Sequence, residues 1–510
     1  MSGKPRRSLS VTRLGLPLCL ACILAFSPQA QGKGKYLPGD WVSYSMFRYV
    51  NSIAQDYDRV YFGTTGGVSR YDRFAQKWDA PFTTSDGLPG NFVTELAYDP
   101  DRNEIWANTG SGAAVYNDIF GVWTWEPSFP QNLSAGDTDK INLPDLFTEF
   151  GPTTSGSDWV MDSHLDRYPI SDYLVGEYDD EVWIGTWGLN AGLASLRRLQ
   201  LKMFRFGLYD KDVKAILVDG DQIWFGGTGV AAPSAGITRY DRKNADWEYY
   251  VAKYVPFLPS NQVNVIDSDS SYVWFGTQNG LAGMNKESGK WVSYTNLGGL
   301  PSNEVTALKS DGRYLWIGTS SGLALFDLEA DSLRSVNDPA LADLYISCIL
   351  PDSFYVWVGT QYGVFTLDRE KQAWYRFSTP EGLLNGWVRS IVRWSSGKPA
   401  SGQEEIWFGT DNGILGYSPL TDERTAYDNR MNFPGLQVVK LACDDRYLWA
   451  ATPDGVWKLN RTTDIWVRYS TDDGLLDDNV QDLALDGDYI WFGTPQGATR
   501  FFWNNPRLRE

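Results

Sequence analysis

With 510 residues, 21% of them charged and 15% aromatic, the chain is too long for one simple core and too rich in rings to be disordered. Its formal net charge is −18, and a body this acidic repels phosphate backbones, which argues against nucleic acid as a partner. Glycine is abundant, at 50 residues, and no long stretch keeps a 3.6-residue period, so many short strands joined by tight turns are expected.

Residues 1–32 read as a secretory signal peptide. Lys4, Arg6, Arg7 and Arg13 form a basic start, residues 14–26 an apolar run, and Ala30 and Gly32 offer small residues for cleavage. The run is too short for a stop-transfer helix, and no later stretch is apolar enough to span a membrane. Cys19 and Cys22 raise a lipoprotein reading, against which the apolar sequence continues past Cys22. The expected location is therefore periplasmic, secreted or at the cell surface. Cys348 and Cys443, in the inner-strand parts of two non-adjacent repeats, are expected to be buried free thiols.

From residue 33 to 510 the chain repeats one pattern: apolar, Trp, apolar, Gly, Thr, two variable residues, Gly, apolar. Ten copies begin at Val60, Ile105, Val182, Ile223, Val273, Leu315, Val356, Ile406, Leu448 and Ile490. Their anchors are Tyr61 and then Trp106, Trp183, Trp224, Trp274, Trp316, Trp357, Trp407, Trp449 and Trp491. Most intervals are about 41 to 45 residues, the length of a four-stranded propeller blade. In the sixth copy the strands are expected at 305–308, 314–319, 322–327 and 333–336. The glycine ending the short loop can take a positive φ, and the glycine before Thr lets a neighbouring blade approach. A second indole often marks the fourth strand, as at Trp78, Trp123, Trp247, Trp291, Trp374 and Trp466, and these rings are expected between stacked sheets.

The last copy lacks a fourth strand, while Trp41-Val-Ser-Tyr44 ahead of the first copy matches the fourth strand Trp291-Val-Ser-Tyr294. The N-terminal strand can complete the last blade and remove an open edge. The fold expected is all-β, a single closed β-propeller of about ten four-stranded blades.

The Trp-apolar-Gly-Thr-x-x-Gly-Leu run is preceded by GLPGNFVTEL from Gly87 and GLPSNEVTAL from Gly299, with weaker copies from Gly382 and Gly474. It resembles the two-component regulator propeller repeat. The resemblance covers nearly all of 41–503 and implies a periplasmic sensing or binding module, a part that in this family commonly serves hybrid histidine kinases and recognises glycans. No membrane helix, kinase or DNA-binding segment is read in these residues, so only the binding module is expected to carry over, and the family transfers no catalytic residues.

Insertions suggest a site. The largest, 127–168, follows the fourth strand of blade 2; others lie at 187–191 in blade 3 and 228–235 in blade 4, all on one face, whereas 395–403 lies on the other. Within this region Asp158, Trp159, Asp162, His164, Trp187 and Asn190 are expected to form an aromatic and polar ligand pocket. The other reading is that these loops plug a wide channel. His164 is the only histidine, which removes most familiar metal sites. Acidic turns such as Asp99-Pro-Asp101, Asp267-Ser-Asp269 and Asp311-Gly are explained by turn chemistry; calcium is the one ion such turns could hold, but no EF-hand spacing accompanies them, and no cofactor is expected. The function read from these residues is a non-catalytic recognition module for a glycan, peptide or protein partner. The alternatives are a polysaccharide- or peptide-processing enzyme using carboxylates on the same face, and a structural component of an envelope assembly.

Overall fold

The computed structural model describes residues 36–118, 121–133, 143–144, 146–148, 151–152, 159–176, 180–229, 235–377, 386–395, 404–429 and 433–508. The signal-peptide reading of 1–32 lies outside them.

The described chain is all-β, built of ten antiparallel blade sheets in the order the repeat indicates. Their first strands are Val50–Gln55, Val93–Asp99, Arg167–Val175, Ala215–Asp219, Val263–Ser268, Val305–Ser310, Ile346–Pro351, Val388–Ser395, Lys440–Cys443 and Asp482–Asp486. Blade 6 has strands Val305–Ser310, Tyr314–Thr319, Gly322–Asp327 and Ser332–Ser335, close to expectation. Strand Trp41–Tyr44 pairs with Gly497–Phe501 and completes blade 10, its indole stacked on Phe501 at 4.0 Å.

Each conserved-type position of the repeat has a physical task. The Thr319 hydroxyl donates to the Gly322 carbonyl at 2.8 Å and accepts the Ser321 N–H at 3.2 Å, closing the turn from within. Gly322 takes φ +126°, a value a side chain would strain. Gly318 abuts the next blade: a Cβ there would lie 2.6 Å from the Ile346 side chain. The second-strand indoles pack between sheets, with Trp183, Trp224, Trp274, Trp449 and Trp491 among the largest fully buried side chains.

The junctions between blades refine the expected closure. Apolar cores join blades 4 and 5, 5 and 6, and so on to 9 and 10. A further core then joins blade 10 to blade 4, through Trp491, Ala498, Val213, Ile216, Phe225 and Trp247. Gly493 of blade 10 meets the Val213 carbonyl at the head of blade 4, where an added Cβ would sit 2.7 Å away. Among the described residues, seven of the ten blades thus close the ring.

The remaining three form a row in the order 3, 1, 2. Blade 3 packs on blade 1 through Trp183, Ala191 and Phe204 against Val50, Phe62 and Tyr71. Blade 1 packs on blade 2 through Tyr61, Val68 and Phe82 against Val93, Leu96 and Trp123. The row is spliced into the ring between the N-terminal strand and blade 4. Residues 45–49 lead out and 204–209 lead back, joined by a hydrogen bond from the Leu208 N–H to the Ser45 carbonyl at 2.9 Å and by Phe47 stacked on Phe206.

The two end faces of the row are covered by the 127–168 insertion. Phe129 and Leu133 pack on Ala97, Trp106 and Val115 of blade 2. Leu143, Leu146 and Val160 pack on Val182, Ile184, Ala194 and Leu201 of blade 3. Insertion strands also extend blade 3 on both edges, Trp159–Met161 on the inner and Phe147–Thr148 on the outer. An open row would leave two apolar faces in water, and the described part of this insertion buries them.

Candidate functional site

Of the six residues expected to form a ligand pocket, Asp158 lies outside the described residues. The other five gather where the row meets the ring. Asp162 organises a tight turn: its Oδ1 accepts the N–H of His164 at 2.9 Å and of Asp166 at 3.0 Å, and its Oδ2 accepts the Tyr168 hydroxyl at 3.3 Å. The His164 ring stacks on Tyr254 of blade 4 at 3.9 Å, and Asp166 receives both its hydrogen bonds from Lys253 at 2.8 Å. Trp159 lies under the Arg167 guanidinium at 4.3 Å and is opposite Pro169, whose carbonyl accepts the Trp187 N–H. The Trp187 indole is 43% exposed and meets Tyr49 edge-on at 5.1 Å.

Asn190 is buried behind this strip. At φ +65° it donates its N–H to the Arg48 carbonyl and its amide Nδ2 to the Phe206 carbonyl, so it ties both linkers to blade 3. The residues around it escaped sequence reasoning. Arg48 is buried, donates to the Tyr49 hydroxyl at 2.9 Å and lies over the Tyr209 ring at 3.9 Å. Burial pushes the neighbouring Asp210 carboxyl up to about 6. Their signal was positional: both pairs, 48–49 and 209–210, sit where the chain departs from the repeat.

A second feature was not legible in the repeat at all. The first strands of blades 4 to 10 enclose a lumen of about 680 Å³ along the ring axis. Lys214, Lys309, Arg389, Arg393 and Lys440 line it, together with Asp267 and Asp482. The carboxylates act as latches between blades. Asp267 accepts the Ser310 N–H of blade 6 at 2.7 Å and pairs with Lys309 at 3.1 Å. Asp482 accepts the Ile216 N–H of blade 4 at 2.7 Å and pairs with Lys440 at 3.5 Å. Cys348 and Cys443 are free thiols on the same wall, with burial raising them to about 12 and about 11, well away from thiolate chemistry at neutral pH.

The acidic turns hold their own backbone and one ring. Asp311 accepts the N–H groups of Arg313 and Tyr314 with Oδ1 and the Trp316 indole N–H at 3.0 Å with Oδ2. Asp269 with Trp274 and Asp352 with Trp357 repeat the arrangement, five residues apart each time. Among the described residues no group of three His, Cys, Asp or Glu side chains is placed to hold a metal ion. Among them, too, no helix is long and apolar enough to cross a membrane.

These features define a class: a β-propeller whose seven-bladed ring surrounds a polar lumen and carries a three-bladed row at its closure. No family model matches the chain, and no curated protein sequence does. Solved structures do. PorZ, described as an essential bacterial surface component of the type-IX secretion system of Porphyromonas gingivalis, is 17% identical, with a TM-score of 0.50 over 89% of this chain and 68% of that one. The extracellular domain of the BT3049 hybrid two-component system of B. thetaiotaomicron is 20% identical, with a TM-score of 0.49 over 88% of this chain. The match spans 61% of that domain's length. At such identities the likeness speaks to the fold.

Proposed function

We propose that this protein is a non-catalytic, extracytoplasmic recognition module that binds a glycan, peptide or protein partner on the propeller face at the mouth of the ring's lumen. The observation that carries the reading is the state of the lumen's carboxylates. Asp267 and Asp482 each spend one oxygen on the next blade's backbone and the other on a lysine, which suits a rigid binding wall better than acid and base roles for these two carboxylates. On the row side, Asp162 and Asp166 are likewise engaged, by the turn and by Lys253. A lumen of about 680 Å³ fits a small ligand or the tip of a larger one.

Extracytoplasmic placement rests on the leader-like residues 1–32 and on the description of PorZ as a surface component. That same description favours a second reading, a structural part of an envelope assembly. The strip of Trp187, Tyr49, Tyr168 and His164 between row and ring is the second surface on which a partner would rest.

The test is a thermal-shift screen of the protein against neutral oligosaccharides, peptides and small anions, followed by calorimetry and mass analysis of each hit. Saturable binding with the ligand recovered intact supports recognition. Turnover that disappears on a single Asp or Glu substitution overturns it in favour of an enzyme. Stable co-purification with an envelope protein, without any small-ligand binding, favours the structural reading.

A further inference from the structure

We infer that the ring's lumen is an anion site, and that its ligand is a small organic or inorganic polyanion carrying at least two carboxylate or phosphate groups. This rests on the lumen being the recognition site and adds the chemistry of what it recognises.

The argument starts from a mismatch of charge. The chain as a whole carries −18, yet five cationic side chains and two acidic ones line this cavity. The depth at which each sign sits sharpens the contrast. Asp267 and Asp482 have side chains only 10% and 8% exposed, because one oxygen of each is turned into the wall to hold a backbone N–H of the next blade. Their lysine partners, Lys309 and Lys440, remain 47% and 44% exposed. The negative charge is therefore built into the wall while the ammonium groups reach the water in the lumen.

Lys214 adds a third ammonium, from blade 4. It is exposed along the lumen and donates to the neutral Asn264 Oδ1 at 3.0 Å. The acids that act on its charge are Asp212 and Glu304. Asp212 is already engaged by the Thr228 hydroxyl and the Gln481 amide, each at 2.8 Å. Desolvation at the lumen wall lowers the Lys214 pKa and outweighs the opposing pull of Asp212 and Glu304. Arg389, held by Asp411 at 2.6 Å, lies over the Trp387 ring on the same lining. Lysines from blades 4, 6 and 9 thus converge on one space with low-dielectric walls, which focuses positive potential on a bound anion.

The experiment is titration calorimetry of the whole protein with citrate and, separately, with pyrophosphate, at constant ionic strength set by chloride. The two probes distinguish a carboxylate from a phosphate ligand. At least one should bind saturably, and the Lys214→Gln/Lys309→Gln double variant should weaken it at least tenfold. Lys243→Gln, on the exposed outer turn of blade 4, should not. Lys309→Arg keeps the pair to Asp267 and should retain binding even if the double variant folds poorly. Binding of neither probe above the chloride background, or equal binding by the double variant, overturns the inference. If neutral ligands still bind while both anions fail, the anion assignment falls alone; if nothing binds and the lumen variants change nothing, the lumen reading falls with it.

Discussion

The carboxylate of Asp482 accepts the backbone N–H of Ile216 at 2.7 Å, joining two residues 266 positions apart in the chain. A similar latch recurs at four further junctions: Asp172 holds the Ile53 N–H at 2.8 Å, Ser52 the Leu96 N–H at 3.0 Å, Asp267 the Ser310 N–H, and Ser390 the Leu441 N–H. A polar side chain on one first strand thus satisfies a backbone donor on the next, and its presence identifies true neighbours. Blade 10 latches blade 4, and blade 3 latches blade 1.

Removing the latch should separate the two units. Asp482→Ala leaves the Ile216 donor unsatisfied and Lys440 without its partner, at a cost of about 1–3 kcal/mol. Asp172→Ala removes two hydrogen bonds within the row, from the Ile53 and Tyr173 N–H groups. Chemical denaturation followed by hydrogen exchange should show Asp482→Ala loosening blades 4 to 10 and Asp172→Ala loosening blades 1 to 3.

Gly493 and Asn108 occupy the same position of the repeat, and only the first has a blade against it. A side chain at Gly493 would be driven into the Val213 carbonyl, so Gly493→Val should cost more than about 3 kcal/mol, beyond ordinary overpacking. Asn108→Gly should change stability by less than about 1 kcal/mol. Comparison of denaturant midpoints checks both.

Much of this molecule was legible because certain residues have one structural task. The Trp, Gly and Thr of the repeat located the blades, and Trp41-Val-Ser-Tyr44 located the closing strand. The order of the blades was not legible, since every blade presents the same apolar faces and a core of Trp and Val fits any neighbour. One trace of it existed: at Trp106-Ala107-Asn108-Thr109 the usual glycine is Asn108, on the blade that no other blade follows. The lumen was invisible for a related reason. Lys214, Lys309 and Lys440 stand in three separate repeats at unremarked positions and meet only after the ring closes. Asp162, His164, Trp159 and Trp187 lie along the strip between row and ring, whereas Asn190 is turned inward because its backbone must bridge the two linkers.

Asp311 anchors its turn, its indole and Arg369 together, the last at 2.8 Å. Burial pushes its pKa up, but hydrogen bonds from Trp316, Arg369 and the turn backbone outweigh that and hold the carboxyl below its ordinary value. A depressed carboxyl contributes stability that is complete above the ordinary value and is lost as pH falls through the lowered one. Asp311→Ala should cost about 2–3 kcal/mol at pH 7 and less at pH 3, read from denaturation midpoints at the two pH values.

Asp210 has the opposite sign. Burial raises its carboxyl to about 6, so the folded state binds the proton more tightly than the unfolded chain does. Stability therefore falls as pH rises from about 4 to about 6, and above that the penalty of the buried charge persists, on the order of 3 kcal/mol. Asp210→Asn should raise the melting temperature at pH 7.5 and flatten the profile between pH 4 and 6.

The arrangement of seven blades in a ring with three spliced into its closure is tested most directly by a double-mutant cycle on Arg242 and Asp486. Arg242 of blade 4 donates to both Asp486 oxygens of blade 10 at 2.7 Å, across 244 positions of sequence. With Arg242→Ala, Asp486→Ala and the double variant, the ring predicts a coupling of about 1 kcal/mol in unfolding free energy. Strict additivity, within about 0.3 kcal/mol, would mean that blades 4 and 10 are not neighbours and would contradict the closure on which the lumen depends.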